Sequence, residues 1–500
     1  MADSLIPLKL PPGLYRNGTK YQSAGRWYDG NGVRFIGGAV QPIGGWQRAT
    51  DDAGIDLAAL AGVPRRVLTW SGSDGQPIVA IGTHQKLYVL VGGVLHDVTP
   101  AGFVPGGVDT TSVSGSGAYG HGPYGTGAYG TGSVATQLVE CGLWHLDTFG
   151  SYLAAVGADE KLYVWQGDVG TPAAVPDGAP TSAIGVVVTP ERFLVVLGAN
   201  GDPRKVQWPS QETIDVWDPT LVGSTAGDFP LTTNGRLRCG RRTKTETLLW
   251  TDCDVHRMGY IGGVFVYRFD QVGDNCGIIA PNAVAVNDTR AFWMGRDTFW
   301  VYDGFVKPLP CEVREAVFED INERQVAKIW AVSIAEFGEI WWFYPSAGSA
   351  EINRYVVYNY RENHWSLGTL ARTAGADAGS TQHPILCDAA GLVYEHELTE
   401  VRSGIAPYLE SGPVEVGSGD RLMSVQRIVP DEKTSGDVSL SLYAANFPNA
   451  PERVYGPYPA AQETKTRLNA RQVRLRLDEV RPADWRVGTF RLGVRESSRR

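Results

Sequence analysis

Between Lys328 and Leu367 the chain repeats one pattern four times. Runs of β-branched and aromatic residues, K-I-W-A-V-S-I, G-E-I-W-W-F-Y-P, I-N-R-Y-V-V-Y-N-Y and N-H-W-S-L-G, are each closed by a short polar turn. Such side chains fit a pleated, half-buried surface. Four strands in about 40 residues, joined by tight turns, predict one antiparallel meander the size of a propeller blade.

The same rhythm predicts blades over 67–98, 143–175, 184–217, 237–272 and 283–309. The segment 33–46 resembles the outer half of the first of these, since in both a strand ends at Gly-Gly and a second runs back. The remainder P-I-L-C-D and G-L-V-Y-E-H (384–396) is predicted to pair with that N-terminal half-blade and close the circle, which hides two sheet edges. The expectation is an all-β fold: a β-propeller of seven blades, with six as the alternative count. Residues 1–48 are read as an arm with ring-closing strands, and 49–400 as the propeller.

Two segments break the rhythm. In 311–328, Val313, Ala316, Val317 and Ile321 fall at i, i+3, i+4 and i+8, one face of a helix. That helix is either laid on the rim or offered to a neighbouring subunit, with Val313, Val317 and Ile321 as the contact residues. The insert 115–132, G-S-G-A-Y-G-H-G-P-Y-G-T-G-A-Y-G-T-G, cannot build a core. It is either a flexible surface loop or a loop lining a channel or interface, where Tyr119, Tyr124 and Tyr129 supply amphipathic contacts.

From about residue 411 apolar and polar residues alternate with period two, so a β-sandwich is predicted over 411–496. Val473, Leu475 and Leu477 point inward there, with Arg474 and Arg476 outward. Residues 471–500 hold nine Arg against four acids. The basic face is either simply solvated or a surface for an acidic partner, with Arg474 and Arg476 the candidates.

Composition narrows the function. A net charge of −9 argues against a surface that grips nucleic-acid phosphates, though not against a channel through which nucleic acid slides. The opening M-A-D-S-L-I-P-L-K-L-P-P has neither a basic region nor a sustained apolar run, so no secretory signal is expected. No apolar stretch approaches the roughly 20 residues of a membrane helix. Six scattered cysteines without a C-x-x-C pair read as buried thiols.

Catalytic patterns are missing: there is no H-E-x-x-H, P-loop, G-x-S-x-G or EF-hand loop. Ser71-Gly-Ser-Asp-Gly75 has the wrong register for a sialidase repeat and lacks its aromatic. The eight histidines are dispersed and read as structural or exposed. No catalytic residue, metal site or cofactor is expected, and the chain is read as a non-enzyme.

Several strings carry a resemblance. They are P-P-G-L-Y-R-N-G-T-K-Y-Q-S-A-G-R-W-Y-D-G-N with Q-P-I-G-G-W, V-F-E-D-I-N-E-R-Q, E-I-W-W-F-Y-P-S and Y-N-Y-R-E-N-H-W. Together, over residues 10–400, they resemble the tail nozzle (tail hub, or tail tubular protein B-like) family of short-tailed bacteriophages. The resemblance implies a homo-hexamer in the virion tail, assembled in the host cytoplasm. It would sit below the portal and the adaptor or head-to-tail connector and contact tail fibre or spike proteins. Genomic DNA would pass through it transiently, held by a constriction until ejection. The alternative is a propeller used for host attachment or carbohydrate binding, which would need paired carboxylates for hydrolysis.

Overall fold

A computed structural model describes residues 4–115, 135–263, 265–415, 422–433 and 435–496. The fold is all-β, and its small sheets have the size and strand order of propeller blades. Sheet 1 consists of Pro64–Ser71, Pro77–Thr83, Leu87–Val91 and Val94–Asp97. Sheet 2 has three strands, His145–Phe149, Tyr152–Val156 and Leu162–Trp165. Sheet 3 is Gly185–Val188, Leu194–Leu197, Lys205–Trp208 and Gly227–Pro230. Sheet 4 is Leu237–Arg242, Thr247–Thr251, Asp254–Tyr260 and Tyr267–Asp274. Sheet 5 is Val284–Asn287, Arg290–Met294, Phe299–Tyr302 and Val306–Leu309. Sheet 6 is Trp330–Ile334, Glu339–Tyr344, Arg354–Asn359 and His364–Thr369. In each, strands pair antiparallel in chain order.

Sheet 7 begins the same way, with Ala374–Ala376, Ile385–Cys387 and Val393–Thr399, but its fourth strand is Gly45–Arg48 from the other end of the chain. The expected half-blade 33–46 therefore divides. Val33–Ile36 and Ala39–Pro42 form a separate hairpin, and only the last strand joins sheet 7.

Successive sheets bury their faces against each other, and tryptophans fill the gaps. Trp144 donates Nε1 to the Thr83 carbonyl at 2.6 Å, joining sheets 1 and 2. A Cβ on Gly82 would sit 2.5 Å from the Trp144 ring, so only glycine allows that approach. Trp250 meets Trp293 edge-on between sheets 4 and 5, and Phe299 meets Trp342 between sheets 5 and 6. The first strand of sheet 7 lies against the first strand of sheet 1.

The C-terminal residues form two further sheets, and both recruit the N-terminal arm. In one, Ser4–Pro7 pairs with Arg491–Glu496, beside Met423–Val429 and Thr464–Ala470. In the other, Trp27–Asn31 pairs with Tyr408–Ser411, followed by Gln472–Glu479, Val438–Ala445 and Arg453–Pro459. Val425, Leu468 and Val494 from the first share one apolar cluster with Leu440, Leu475 and Leu477 from the second. The arm is thus structural throughout much of its length.

Strand alternation puts His396 and its flanking glutamates on opposite faces, but the chain bends at this point. The register shifts between His396 and Thr399, and Glu397 has φ +59°. His396 stacks on Trp46 and accepts from Arg372 Nε at 2.9 Å. The bend turns Glu397 inward to Arg34, which donates to it at 2.8 and 2.9 Å and to Glu339 at 3.1 Å. The guanidinium also covers the Phe337 ring at 3.7 Å. This buried clamp ties the N-terminal hairpin to sheets 6 and 7.

Arg34→Met strands two carboxylates in a buried site, so we expect a loss of about 3–5 kcal/mol in denaturant unfolding. A loss below about 1 kcal/mol, the scale of exposed pairs, would show that the clamp is not coupled to the fold.

Candidate functional site

The first strands of the sheets carry polar residues that the apolar pattern does not require. On Pro64–Ser71 a register shift at Pro64/Arg66 interrupts strict alternation, and the two arginines there do different work. Arg65 grips Glu351 with two 2.8 Å bonds and donates to the Val108 carbonyl at 2.9 Å. Lys328, whose side chain is wholly buried, donates to Asp109 at 2.5 Å, to Ala350 O at 2.7 Å and to Glu351 at 3.3 Å. Gln325 exchanges two hydrogen bonds with the backbone of Thr110. Burial works to raise the Glu351 carboxyl, but Arg65, the Ile352 N–H and Lys328 outweigh it and hold it low.

These contacts anchor residues 108–110 immediately before Thr111–Gly115, which pairs antiparallel with Ala135–Val139. The Gly/Tyr insert therefore leaves from the tip of a hairpin with a fixed base. Tyr119, Tyr124 and Tyr129 themselves lie outside the described residues. Beside the hairpin base is a cavity of about 880 Å³. Its wall is drawn from loops, turns and the first residues of strands, including Glu140, His145, Arg236, Arg238, Glu323 and Arg324.

Arg238 forms a two-pronged pair with Glu140 at 3.0 and 3.1 Å. His145 is buried, and burial, reinforced by the charges of Arg241, Arg66 and Arg238, pushes its imidazole down to about 3. Burial and then Arg241 push the Arg66 guanidinium down to about 9. These residues escaped the sequence reading. The available signal was two Arg doublets, Arg65-Arg66 near the start of Pro64–Ser71 and Arg241-Arg242 at the end of Leu237–Arg242.

The helix expected over 311–328 is two short pieces, α1 (Arg314–Phe318) and a 3-10 turn, Glu323–Lys328. Val313, Val317 and Ile321 are buried in this chain's own core, so they present no surface to a neighbour. The apolar spacing was real, but it was answered by the same subunit. Arg474 and Arg476 also need correction as a partner surface. Arg474 pairs with Glu410 and Glu452 at 2.9 and 2.6 Å, and Arg476 with Glu410 and Asp478 at 2.6 and 2.7 Å.

A second cavity, of about 630 Å³, is lined by Thr233, Cys253 and Asp254 among others. Thr251 and Thr233 both donate to Asp254, and His256 Nε2 lies 3.3 Å from that carboxylate. A nucleophilic triad needs the imidazole between hydroxyl and carboxylate. Here the carboxylate stands in the middle, so the group fastens a turn of sheet 4 and activates no hydroxyl. Among the described residues, no cluster of His, Cys, Asp and Glu could hold a metal ion.

The strand order defines an all-β protein built of blade-type sheets. No family model and no curated protein matches the chain. Among solved structures it is similar to the WD40 domain of Neurospora crassa Pan2 (10% identity, 68% of this chain and 91% of that one, TM-score 0.38). It is also similar to the CNH domain of AfRom2 (8%, 68% and 97%, 0.36) and to BamB from Moraxella catarrhalis (9%, 73% and 95%, 0.34). At such TM-scores no function carries across, and the fold assignment rests on the sheets.

Burial holds His145 and His396 far below the usual histidine range and lowers His364 and His84 as well. A depressed histidine leaves stability intact above its unfolded pKa of about 6.5 and removes it as pH falls below that value. We expect stability to drop from pH 6.5 downward, by up to about 1.4 kcal/mol per pH unit for each fully neutral histidine. Urea titrations at pH 7, 6, 5 and 4 check this, and His145→Gln should flatten the slope. Equal stability at pH 7 and 5 would refute the assignment.

Proposed function

We propose that this chain is a structural virion protein, one subunit of a hexameric tail nozzle of a short-tailed bacteriophage. In this reading sheets 1 to 7 are seven blades closed by the N-terminal strand, and the two C-terminal sheets form a sandwich that clasps the N-terminal arm. Six such bodies form a passive conduit below the portal and adaptor, contacted by tail fibre or spike proteins, in the virion tail. The sequence strings between residues 10 and 400 supply the resemblance. The observation that carries the mechanical part is the buried anchor of the Gly/Tyr insert by Arg65, Gln325 and Lys328. A loop meant to bear on a neighbour or on DNA needs a base that does not yield, and a buried, fully paired lysine provides one.

Assembly tests the proposal. Mass photometry and negative-stain imaging should show sixfold rings of six times the 54.1 kDa subunit mass, alone or on portal–adaptor particles. A chain that stays monomeric at tens of micromolar and ignores those particles overturns it. Virions carrying a deletion of residues 115–132 should leak DNA or eject it poorly; normal retention and delivery would remove the insert from the mechanism.

A further inference from the structure

We propose that the turns joining the third and fourth strands of sheets 4 and 5 insert into lipid bilayers that carry anionic headgroups. The sequence marks the place. From Met258 to Tyr267 the chain runs M-G-Y-I-G-G-V-F-V-Y, ten residues without a charge, between Arg257 and Arg268. This run joins the last two strands of sheet 4, Asp254–Tyr260 and Tyr267–Asp274. Turns between antiparallel strands are ordinarily polar, so an apolar one facing water calls for a cover.

The turn is built to project. Gly262 and Gly263 have φ of +72° and +74°, and the Val266 carbonyl accepts from the N–H groups of Ile261 and Gly262. That is a tight reversal which glycine adopts freely. Met258, Val266 and Tyr267 are buried in the core shared by sheets 3 and 4. Tyr267 shares a 2.8 Å hydrogen bond with the Thr189 hydroxyl and meets Trp208 edge-on, so the base is fixed. Phe265, by contrast, is 75% exposed, and Ile261 and Tyr260 are about half exposed.

Sheet 5 adds a second projection at the same end. Its equivalent turn, Asp303-Gly304-Phe305, leaves Phe305 80% exposed. The Lys244 N–H donates to the Asp288 carbonyl at 3.1 Å, which sets the first turns of the two sheets side by side. Tyr302, next to the projecting turn, donates its hydroxyl to Glu246 in the first turn of sheet 4 at 2.5 Å. The first and third turns of an antiparallel meander leave from one end of its sheet, so both projections face the same way.

Charge and shape select the occupant. At this end R-T-K-T-E (242–246), D-T-R (288–290) and D-G-F-V-K (303–307), with Arg257, Arg268 and Asp270, hold six basic side chains against four acidic. A chain of net charge −9 thus places a local positive excess around its apolar tips, and such an excess is drawn to anionic headgroups. Arg257 and Arg268 both draw on Asp270, at 2.9 and 2.8 Å. Tyr260 stands one step nearer the tip than Arg268, where headgroups meet hydrocarbon and tyrosine is favoured. Two separate convex knobs would each need a hole in a rigid protein partner, whereas lipid closes around both. The third connection of sheet 3 also exposes Leu221 and Val222, but it carries Glu212, Asp215 and Asp218, so we assign it no lipid contact.

The contact belongs to one subunit, so its test is separate from that of assembly. The full chain is floated with vesicles of equal parts phosphatidylcholine and phosphatidylglycerol, and with phosphatidylcholine alone. Wild type should float with the mixed vesicles and about fivefold less with the neutral ones. The double variant Ile261→Ser, Phe265→Ser should lose most of that flotation at unchanged Tm, since both side chains already face water. Should it fail to fold, Phe305→Ser in the other turn should lower flotation about twofold or more. Arg268→Glu should lower binding to the mixed vesicles about fivefold, whereas Phe447→Ser, an exposed phenylalanine beyond Val438–Ala445, should float like wild type. Wild type that ignores the mixed vesicles, or floats equally with both, overturns the proposal. So does undiminished flotation of the tip variants, or a loss confined to self-association in light scattering, which would assign the tip to a second copy.

Discussion

An unpaired strand edge is the liability that this chain is organised to remove. The outer edge of Val393–Thr399 would be exposed in any chain that simply ran through its sheets and stopped. Gly45–Arg48 covers it, so the sheet that ends the repeat is completed by residues that precede the first one. The arm does the same for the C-terminal sheets, where Ser4–Pro7 and Trp27–Asn31 add strands. Three pairings from fewer than fifty residues thus join the two ends of the chain. Contacts of such sequence separation close large loops, which costs entropy and slows folding. The gain is a body in which both chain ends are held by ladders of backbone hydrogen bonds.

Buried charge marks where those distant segments meet. Arg34 joins the N-terminal hairpin to sheets 6 and 7, Lys328 joins sheet 6 to the root of the insert, and Arg402 reaches Glu479 beyond the last repeat sheet. Burying an ion pair returns little net stability compared with an apolar replacement. Its effect is on register, because a misplaced segment would leave a charge without its partner.

The local run of β-formers and turns was enough to place sheets 1, 4, 5 and 6 along the chain, because each strand is local and its turn chemistry sits beside it. Trp341-Trp342-Phe343 could belong to little else than a strand buried on both faces. Periodicity was less reliable where an apolar face had two possible covers. Val313, Val317 and Ile321 mark an apolar face equally well whether the cover is a neighbour or the same chain. Arg474 and Arg476 alternate outward as expected, yet Glu410 and Glu452, distant in sequence, close over them.

The sequence by itself determined the all-β character, the blade-sized meanders and the location of the insert, since these depend on neighbours within about 40 residues. Tertiary structure decided which strand closes sheet 7 and which acids meet which arginines. Those outcomes join residues dozens to hundreds of positions apart. No local preference encodes such a meeting, because the free energy that selects it appears only when whole sheets pack face to face.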